Sequence, residues 1–197
     1  SRGLGDVYKR QVLGQERAAQ NKIYCFNVKN NSTKWMYNAE IKSVPDFKCI
    51  SPKQINMMIS NTHNGFGYGI YVQLPKMKLP IPLFVLFRCL NVISDKSICE
   101  KIVYDTDDTS EISLKILKFL EGSVYDAKDI LTYDDSITHL VNQVMYTPIN
   151  MDKETGIRKK YEFTMDILNN ELFPHCRSIL EKKIFLGYMA QKLIKTY

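Results

Sequence analysis

The sequence has few of the residues that build metal centres. It holds three histidines, His63, His139 and His175, and five cysteines among 197 residues. The histidines are far apart, no Cys/Asp/Glu set with metal-ligand spacing accompanies them, and no two cysteines form a CxxC pair. These absences argue against a zinc site. The odd number of cysteines predicts reduced thiols rather than a disulfide framework.

Long apolar runs are also absent. The longest such stretch, residues 79–87, is interrupted by Pro80 and Pro82 and falls short of the ~18 residues expected of a membrane helix. The N-terminus lacks the basic-then-apolar pattern of a signal peptide. We therefore expect a soluble intracellular protein with no membrane partner.

No complete catalytic motif is present. The glycine-rich stretch at residues 65–69 lacks the helix start and Lys-Ser/Thr pair of a phosphate loop, so a hairpin loop is the favoured interpretation. Asp105, Asp107 and Asp108 form an acidic cluster of a kind that can hold Mg²⁺. The favoured interpretation of this cluster is a turn between helices with N-cap acids. A small hydrolase would need a convergent polar site, for which the sequence offers no candidate.

The composition is that of an ordinary globular domain. Its hydrophobic content of 45% is typical, and 197 residues suit one domain with a real core. The net charge of +6, from 27 basic and 21 acidic residues, permits contact with nucleic acid without requiring it.

The first part of the chain is rich in β formers. Residues 22–29 and 35–44 alternate in polarity across a turn at residues 30–33, which predicts a hairpin. Residues 50–60 and 68–74 are predicted as the third and fourth strands. The second part is helical, so the predicted class is α+β: an antiparallel sheet in the N-terminal part packed with several helices in the C-terminal part.

Candidate N-cap residues and helix-breaking residues divide the second part of the chain into separate predicted helices. Residues 83–90 are predicted to be helical after Pro82, and a last helix is predicted at residues 178–196. Gly122 is predicted to stop the helix that follows residue 110. The candidate N-caps are Ser94 or Asp95 (with Ser97 and Glu100 as an alternative capping box) and Thr109 or Ser110. Asp134 or Asp135 precedes a further helical stripe, which comprises Ile137, Leu140, Val141 and Val144.

The strongest helical pattern covers residues 157–172 and ends before Pro174. Its apolar residues recur at helical spacing, which predicts one buried face. The predicted face comprises Ile157, Tyr161, Met165, Leu168 and Leu172.

Basic residues are scattered except for two knots, Arg158-Lys159-Lys160 and Lys182-Lys183. Successive helical positions point in different directions, so a solvated helix surface is the simpler interpretation of either knot. Arg158, Lys159 and Lys160 are nevertheless the candidate nucleic-acid contacts. Four aromatic residues are candidates either for base stacking or for packing of the sheet: Trp35, Tyr37, Phe66 and Tyr68.

A series of short motifs runs through the chain in one order. The motifs are Gln15-Glu16-Arg17, Ala39-Glu40-Ile41-Lys42-Ser43, Leu74-Pro75, Ile81-Pro82, Phe87-Arg88, Tyr104-Asp105, Leu172-Phe173-Pro174-His175 and Phe185-Leu186-Gly187-Tyr188-Met189. Together they resemble the second-largest, β-type subunit of multisubunit DNA-directed RNA polymerases, in the part called the lobe. The resemblance covers residues 12–197. The chain departs from the family pattern around residues 66–68, 130–135 and 146–153.

The resemblance implies a role without catalytic residues. The lobe forms part of one wall of the polymerase cleft near downstream DNA, and its outer surface is offered to transcription factors. The implied partners are the largest and other polymerase subunits and the DNA template. The Mg²⁺ of nucleotide addition is expected elsewhere in the complete polymerase, and no cofactor is expected here. The implied compartment is the nucleus, or a viral factory or virion for a viral gene.

The ends of the chain carry further expectations. Residues 1–11 (SRGLGDVYKRQ) resemble a translated adapter and are predicted to be a non-native, disordered tail. With no initiator Met and with family sequence expected after Tyr197, we expect an internal fragment that is inactive alone. Abundant Asn, Lys and Ile favour a divergent AT-rich source, such as a large DNA virus or a protist. The alternative function is a free-standing basic nucleic-acid-binding or scaffold module.

Overall fold

The computed structural model describes residues 21–29 and 34–197, and a five-stranded antiparallel sheet fills the first half. Strands that follow one another in sequence are neighbours in the sheet. The strands are β1 (Tyr24–Asn27), β2 (Trp35–Ser43), β3 (Lys53–His63), β4 (Tyr68–Gln73) and β5 (Ile81–Pro82). The predicted α+β class is confirmed. The adapter-like tail at residues 1–11 and the turn at residues 30–33 lie outside the described residues.

The strand register places alternate side chains in the core. Ala39 lies opposite Met57, Ile41 lies opposite Ile55, and all four are fully buried. The predicted β1–β2 hairpin partners do pair. The third strand lies at Lys53–His63 rather than at residues 50–60, and the short strand β5 was not predicted.

Six α-helices and one π-helical turn follow the sheet in the described part of the chain. None of these helices is both long and apolar enough to cross a membrane. They are α1 (Leu83–Cys89), α2 (Asp95–Val103), α3 (Glu111–Asp126), α4 (Tyr133–Gln143), α5 (Lys153–Asp166), the π turn (Ile167–Glu171) and α6 (Ile179–Thr196).

Helix α1 is the centre of the core, and all of its residues are buried. This complete burial explains why the sequence of α1 is almost entirely apolar, a pattern that a buried strand would also have. Its one charged residue, Arg88, donates to the carbonyl oxygens of Ile93 (2.8 Å) and Ile130 (3.0 Å) and pairs with Asp95. Because a buried guanidinium needs such partners, the Phe87-Arg88 motif has a structural role that joins α1 to the loops around α2 and α4.

The N-caps of α2 and α3 agree with the predictions. Ser94 and Ser110 accept hydrogen bonds from the first turns of α2 and α3. The predicted helical stripe after Asp134 and Asp135 lies mostly in α4, whose N-cap is Thr132: its side chain accepts from the Asp135 N–H at 3.0 Å. Both aspartates lie in the first turn of α4, where the helix dipole favours negative charge.

Gly122 does not stop helix α3, which continues to Asp126. The glycine is needed for a close approach instead. A Cβ atom at Gly122 would lie 2.7 Å from the carbonyl carbon of Gly67, in the loop between β3 and β4. Gly122 is therefore required for close packing between α3 and this loop, and it does not end the helix.

The predicted buried face of residues 157–172 is wrong over its first half. Ile157 is 61% exposed and Tyr161 is 45% exposed, whereas Leu168 and Leu172 are buried. The reason is the π turn, closed by a 3.0 Å hydrogen bond from Leu172 N–H to Ile167 O. One extra residue per turn shifts the phase of the helix, so a single apolar stripe does not run through both parts.

Candidate nucleic-acid interface

Helix α5 carries the three predicted nucleic-acid contacts. Its inner side contains the buried residues Gly156 and Thr164, and Phe163 stacks on Tyr146 with ring centroids 5.0 Å apart. Arg158 and Lys159 are exposed, and Lys160 is partly buried. The structure therefore gives two of the three side chains free access to solvent.

A neighbouring carboxylate reduces the charge of this basic knot. Glu162 Oε1 lies 3.9 Å from Arg158 Nε, and Glu162 Oε2 lies 3.6 Å from Lys159 Nζ. Exposed pairs of this kind contribute little to stability, and each partner is released at low cost. Both cations can thus exchange Glu162 for a phosphate group.

The second basic knot, Lys182-Lys183, is not a surface pair. Lys182 is 3% exposed, and its ammonium donates to the carbonyl oxygens of Leu168 (2.8 Å), Asn169 (2.8 Å) and Leu172 (2.6 Å). These carbonyls belong to the π turn and to the residue directly after it, at a helix end where backbone carbonyls need donors from outside the helix. Burial lowers the pKa of Lys182 to about 8, so the ammonium remains charged at neutral pH.

Two further lysines, which sequence reasoning missed, lie beside α5 and the π turn that follows it. Lys76 Nζ lies 2.9 Å from Glu171 Oε1 and 5.7 Å from the centre of the Phe163 ring, and Lys53 Nζ lies 3.2 Å from Glu171 Oε2. Burial pushes the pKa of Glu171 upward, but the contacts with Lys76 and Lys53 lower that pKa overall. No local sequence signal joins these three residues.

The histidines and cysteines do not form a site. Within residues 21–29 and 34–197, no group of three or more His, Cys, Asp or Glu side chains has the geometry to hold a metal ion. None of the five cysteines, all of which lie in the described part of the chain, forms a disulfide, which agrees with the predicted reduced thiols. His175 Nδ1 lies 2.6 Å from Ser43 Oγ, and burial, together with the charge of Lys182, lowers the pKa of His175 to about 4.

The acidic cluster is a turn between helices, as predicted. Asp108 Oδ1 accepts from the Ser110 N–H at 2.8 Å, and Asp108 Oδ2 accepts from the Ser113 hydroxyl at 3.0 Å. Asp105 Oδ1 accepts from the Asp107 N–H at 3.0 Å. These contacts position the start of α3.

The four candidate stacking aromatics have different environments. Tyr37 is buried in the core, and Trp35 packs edge-on against Tyr71. Tyr68 packs edge-on against His63. Phe66 is the exception, because it is 57% exposed at the tip of the predicted hairpin loop.

Comparison with known proteins finds relatives that match 94% of this chain. The chain is 29% identical over 192 residues to DNA-directed RNA polymerase II subunit RPB2 of Schizosaccharomyces pombe, covering 94% of this chain and 15% of that protein. It is 28% identical over 192 residues to the RPB2 subunit of Encephalitozoon cuniculi, with the same coverage of both chains. It is 25% identical over 196 residues to subunit 2 of RNA polymerase II of Arabidopsis thaliana.

The chain thus spans about 15% of the length of these relatives. The family model described as RNA polymerase Rpb2, domain 2, matches residues 19–197, which include every residue that the structure describes. The polymerase resemblance predicted from the short motifs is therefore confirmed, and this chain belongs to the Rpb2 domain 2 family.

Proposed function

We propose that this chain serves as the lobe of the second-largest subunit of a DNA-directed RNA polymerase. In this role it lines the DNA cleft and helps to hold the duplex in position while nucleotides are added at a magnesium centre in another part of the enzyme. Its partners are the largest and other polymerase subunits, the DNA template and, on the outer surface, transcription factors. Its compartment is the nucleus, or a viral factory or virion if the gene is viral.

The observation that carries this proposal is the family match across residues 19–197. Relatives that are matched over 94% of this chain carry the name of a polymerase subunit. The contribution to RNA synthesis is positional, because the described residues offer a packed scaffold with charged side chains on its surface. The chain alone is expected to synthesise no RNA.

Helix α5 is the proposed side for DNA. Arg158 and Lys159 are exposed, and Lys76 lies against the same helix. Contact with phosphates through such residues carries no sequence preference. It releases counterions, so the affinity falls steeply as salt concentration rises.

A DNA-binding measurement tests this assignment. Duplex affinity of the 197-residue chain is measured across a range of salt concentrations for the wild type and for Arg158→Glu/Lys159→Glu/Lys160→Glu. The triple variant should bind more weakly with a flatter salt slope. The matched control reverses three exposed lysines elsewhere, Lys96, Lys115 and Lys118, and should change the slope less. Equal effects of the two triple variants would refute the assignment to α5.

Membership of the polymerase is tested separately with a chimera. Residues 19–197 replace the matching segment of the S. pombe RPB2 subunit, and a flexible Gly-Ser linker replaces the same segment in the control. The chimera should assemble with the other subunits and transcribe better than the linker control. Assembly and RNA synthesis no better than in the linker control would contradict the proposal.

A further inference from the structure

The loop between β3 and β4 contains the only Asn-Gly pair in the sequence, Asn64-Gly65. In such a pair the backbone nitrogen of the glycine can attack the side-chain carbonyl of the asparagine, because glycine has no Cβ atom to obstruct the approach. Gly65 has a φ of +100°, and a Cβ atom built on it would meet no other atom within 4 Å. The loop therefore has room for the five-membered ring that this attack closes.

The side-chain carbonyl of Asn64 is polarised by two backbone donors. Asn64 Oδ1 accepts from the Phe66 N–H at 3.0 Å and from the Gly67 N–H at 3.1 Å. Donors aimed at a carbonyl oxygen stabilise the negative charge that develops there when a nucleophile adds to the carbonyl carbon. Because these donors belong to the two residues after Gly65, the bonds also hold the side chain alongside the Gly65 peptide.

A proton acceptor lies beside the attacking nitrogen. The Gly65 N–H donates to His63 Nδ1 at 3.0 Å, and the His63 ring packs edge-on against Tyr68 with ring centroids 5.1 Å apart. A peptide nitrogen becomes a nucleophile as its proton is removed, and a histidine within hydrogen-bond reach of that proton is placed to act as general base. His63 and the two donors to Asn64 Oδ1 thus supply the base and the polarised carbonyl that the attack requires.

We propose that Asn64 is a self-modification site at which His63 promotes deamidation. The bond between Gly65 N and Asn64 Cγ forms, the bond between Cγ and Nδ2 breaks, and Nδ2 leaves as ammonia with the proton that Gly65 N has lost. Water then opens the cyclic imide to aspartate or isoaspartate. The net change replaces one amide with one carboxylate and needs no oxidant, reductant or cofactor. It is independent of the DNA contact proposed for α5.

Deamidation removes the contact that holds the loop to α3. Asn64 Nδ2 donates to Gly122 O and to Asp126 Oδ1, both at 2.8 Å, and these two bonds form the Asn64 latch. In the product, a carboxylate with no hydrogen to donate faces that carbonyl and that carboxylate, so two attractive contacts become repulsive. Asp126 is held in place from its other side, because its Oδ2 accepts from the Tyr71 hydroxyl at 2.8 Å. The loop should therefore separate from α3 where Gly67 now packs on Gly122.

Ageing of the 197-residue chain at neutral pH and physiological temperature tests the reaction. Peptide mapping by mass spectrometry follows the conversion of each asparagine, and isoaspartate is identified by its separate elution. A synthetic peptide of residues 60–70 is the unfolded reference. Asn64 should be converted well before Asn61 of the same hairpin, because the branched side chain of Thr62 obstructs the equivalent attack there.

A histidine replacement tests the role of the fold. His63→Phe keeps a ring beside Tyr68 but has no nitrogen to accept the proton, and His63 is exposed, so the core stays intact. The replacement should slow conversion of Asn64 in the folded chain by at least about tenfold, within the roughly hundredfold that a positioned general base supplies. In the reference peptide it should have little effect, because nothing holds the imidazole at Gly65 N. His139→Phe, on α4, is the control and should leave the rate unchanged.

Two further variants test the latch without ageing. Asn64→Asp reproduces the aspartate product and should speed hydrogen exchange of the Asn64 N–H, which donates to Gly67 O at 3.1 Å, by at least about fivefold. Asn64→Asp/Asp126→Asn returns a donor to the contact, because the new amide can donate to the new carboxylate. The double variant should therefore recover slow exchange. Melting temperatures establish that each variant is folded.

Either half of the proposal can be overturned. Survival of Asn64 in the folded chain while the reference peptide is converted would show that the fold protects the pair. Equal slowing of chain and peptide by His63→Phe would remove His63 from the reaction. Exchange in Asn64→Asp that is as slow as in the wild type, or exchange in the double variant that is as fast as in Asn64→Asp, would show that the latch does not hold the loop.

Discussion

Helices α5 and α6 each contain two adjacent lysines, and the two pairs have opposite environments. Lys159 is exposed beside Glu162, and Lys160 is only partly covered. Lys182, in contrast, is buried and bonded to three backbone carbonyls, while Lys183 is partly exposed. The same dipeptide can therefore be a surface charge or a structural core element, depending on what surrounds the helix.

The difference follows from the neighbours of the two helices. Helix α6 packs against α2, α3 and three strands of the sheet, so most of its residues are buried. Its first turn meets the end of the π turn, where carbonyl groups need donors. Helix α5 packs mainly through the π turn and α4, so most of its charged residues face solvent.

The largest expected effect is the loss of the Lys182 ammonium. Lys182→Ala should lower the free energy of unfolding by about 4 kcal/mol, because three buried carbonyls lose their donor and a cavity remains. Lys159→Ala should change it by less than ~0.5 kcal/mol. Urea unfolding with a common m-value measures both. Similar small effects at the two positions would mean that Lys182 is not a core element.

The phase shift at the π turn gives the second prediction. Leu168→Ala should cost about 3 kcal/mol, because Leu168 is buried beyond the shift. Ile157→Ala should cost less than ~0.5 kcal/mol, because Ile157 is exposed before it. A continuous α-helix with the predicted stripe would instead give large losses at both positions in the same urea experiment.

The third prediction concerns pH and the environment next to Lys182. The pKa of His175 is about 4 in the folded chain, compared with 6.5 for an ordinary histidine. The unfolded chain therefore binds more protons between these values, so stability falls as pH drops from about 6.5 to about 4 and levels off below that. The loss should be roughly 3 kcal/mol.

Carboxylates also titrate in this range, so the measurement needs a comparison. His175→Asn should remove this part of the slope of unfolding free energy against pH. His63→Asn, at an exposed histidine, should leave the slope nearly intact. Equal slopes for His175→Asn and the wild type would show that His175 is accessible to protons in the folded chain.

The smallest expected effect is at the glycines of the two helices. A Cβ atom at Gly187 of α6 would clash with the carbonyl oxygen of Lys101, so Gly187→Ala should cost about 2 kcal/mol. A Cβ atom at Gly156 of α5 would lie 3.1 Å from Pro148 Cβ. The helix propensity of alanine offsets that contact, so Gly156→Ala should be within ~1 kcal/mol of the wild type. Thermal melts of both variants test the contrast.

Local signals in the sequence predicted much of this fold. Strand alternation located β2 and β4, serines marked the starts of α2, α3 and α6, and the short motifs identified the family. These features depend on residues that are near each other in sequence, where period and capping rules apply directly.

Long-range packing accounts for what was not predicted. Gly122 resembles a helix stop, yet it makes room for Gly67 on a different element. Lys182 resembles a surface charge until the end of the π turn is placed beside it. The cluster of Lys53, Lys76 and Glu171 joins three separate segments, so no spacing rule predicts it. The candidate contacts Arg158, Lys159 and Lys160 were predicted from charge alone, and their role in DNA binding stays a prediction.

The π turn also sets the direction in which the polymerase lobe presents its basic helix. One residue corresponds to about 100° of rotation in an α-helix. The extra residue in Ile167–Glu171 therefore acts as a rotational offset between the end of the π turn that Lys182 binds and helix α5. Deleting Asn170 would restore an α-helical turn, while Lys182 would still donate hydrogen bonds to the backbone carbonyls at that end. The deletion would therefore rotate Arg158 and Lys159 about the helix axis. A one-residue length change, with no change of charge, would thus redirect the basic surface of the domain.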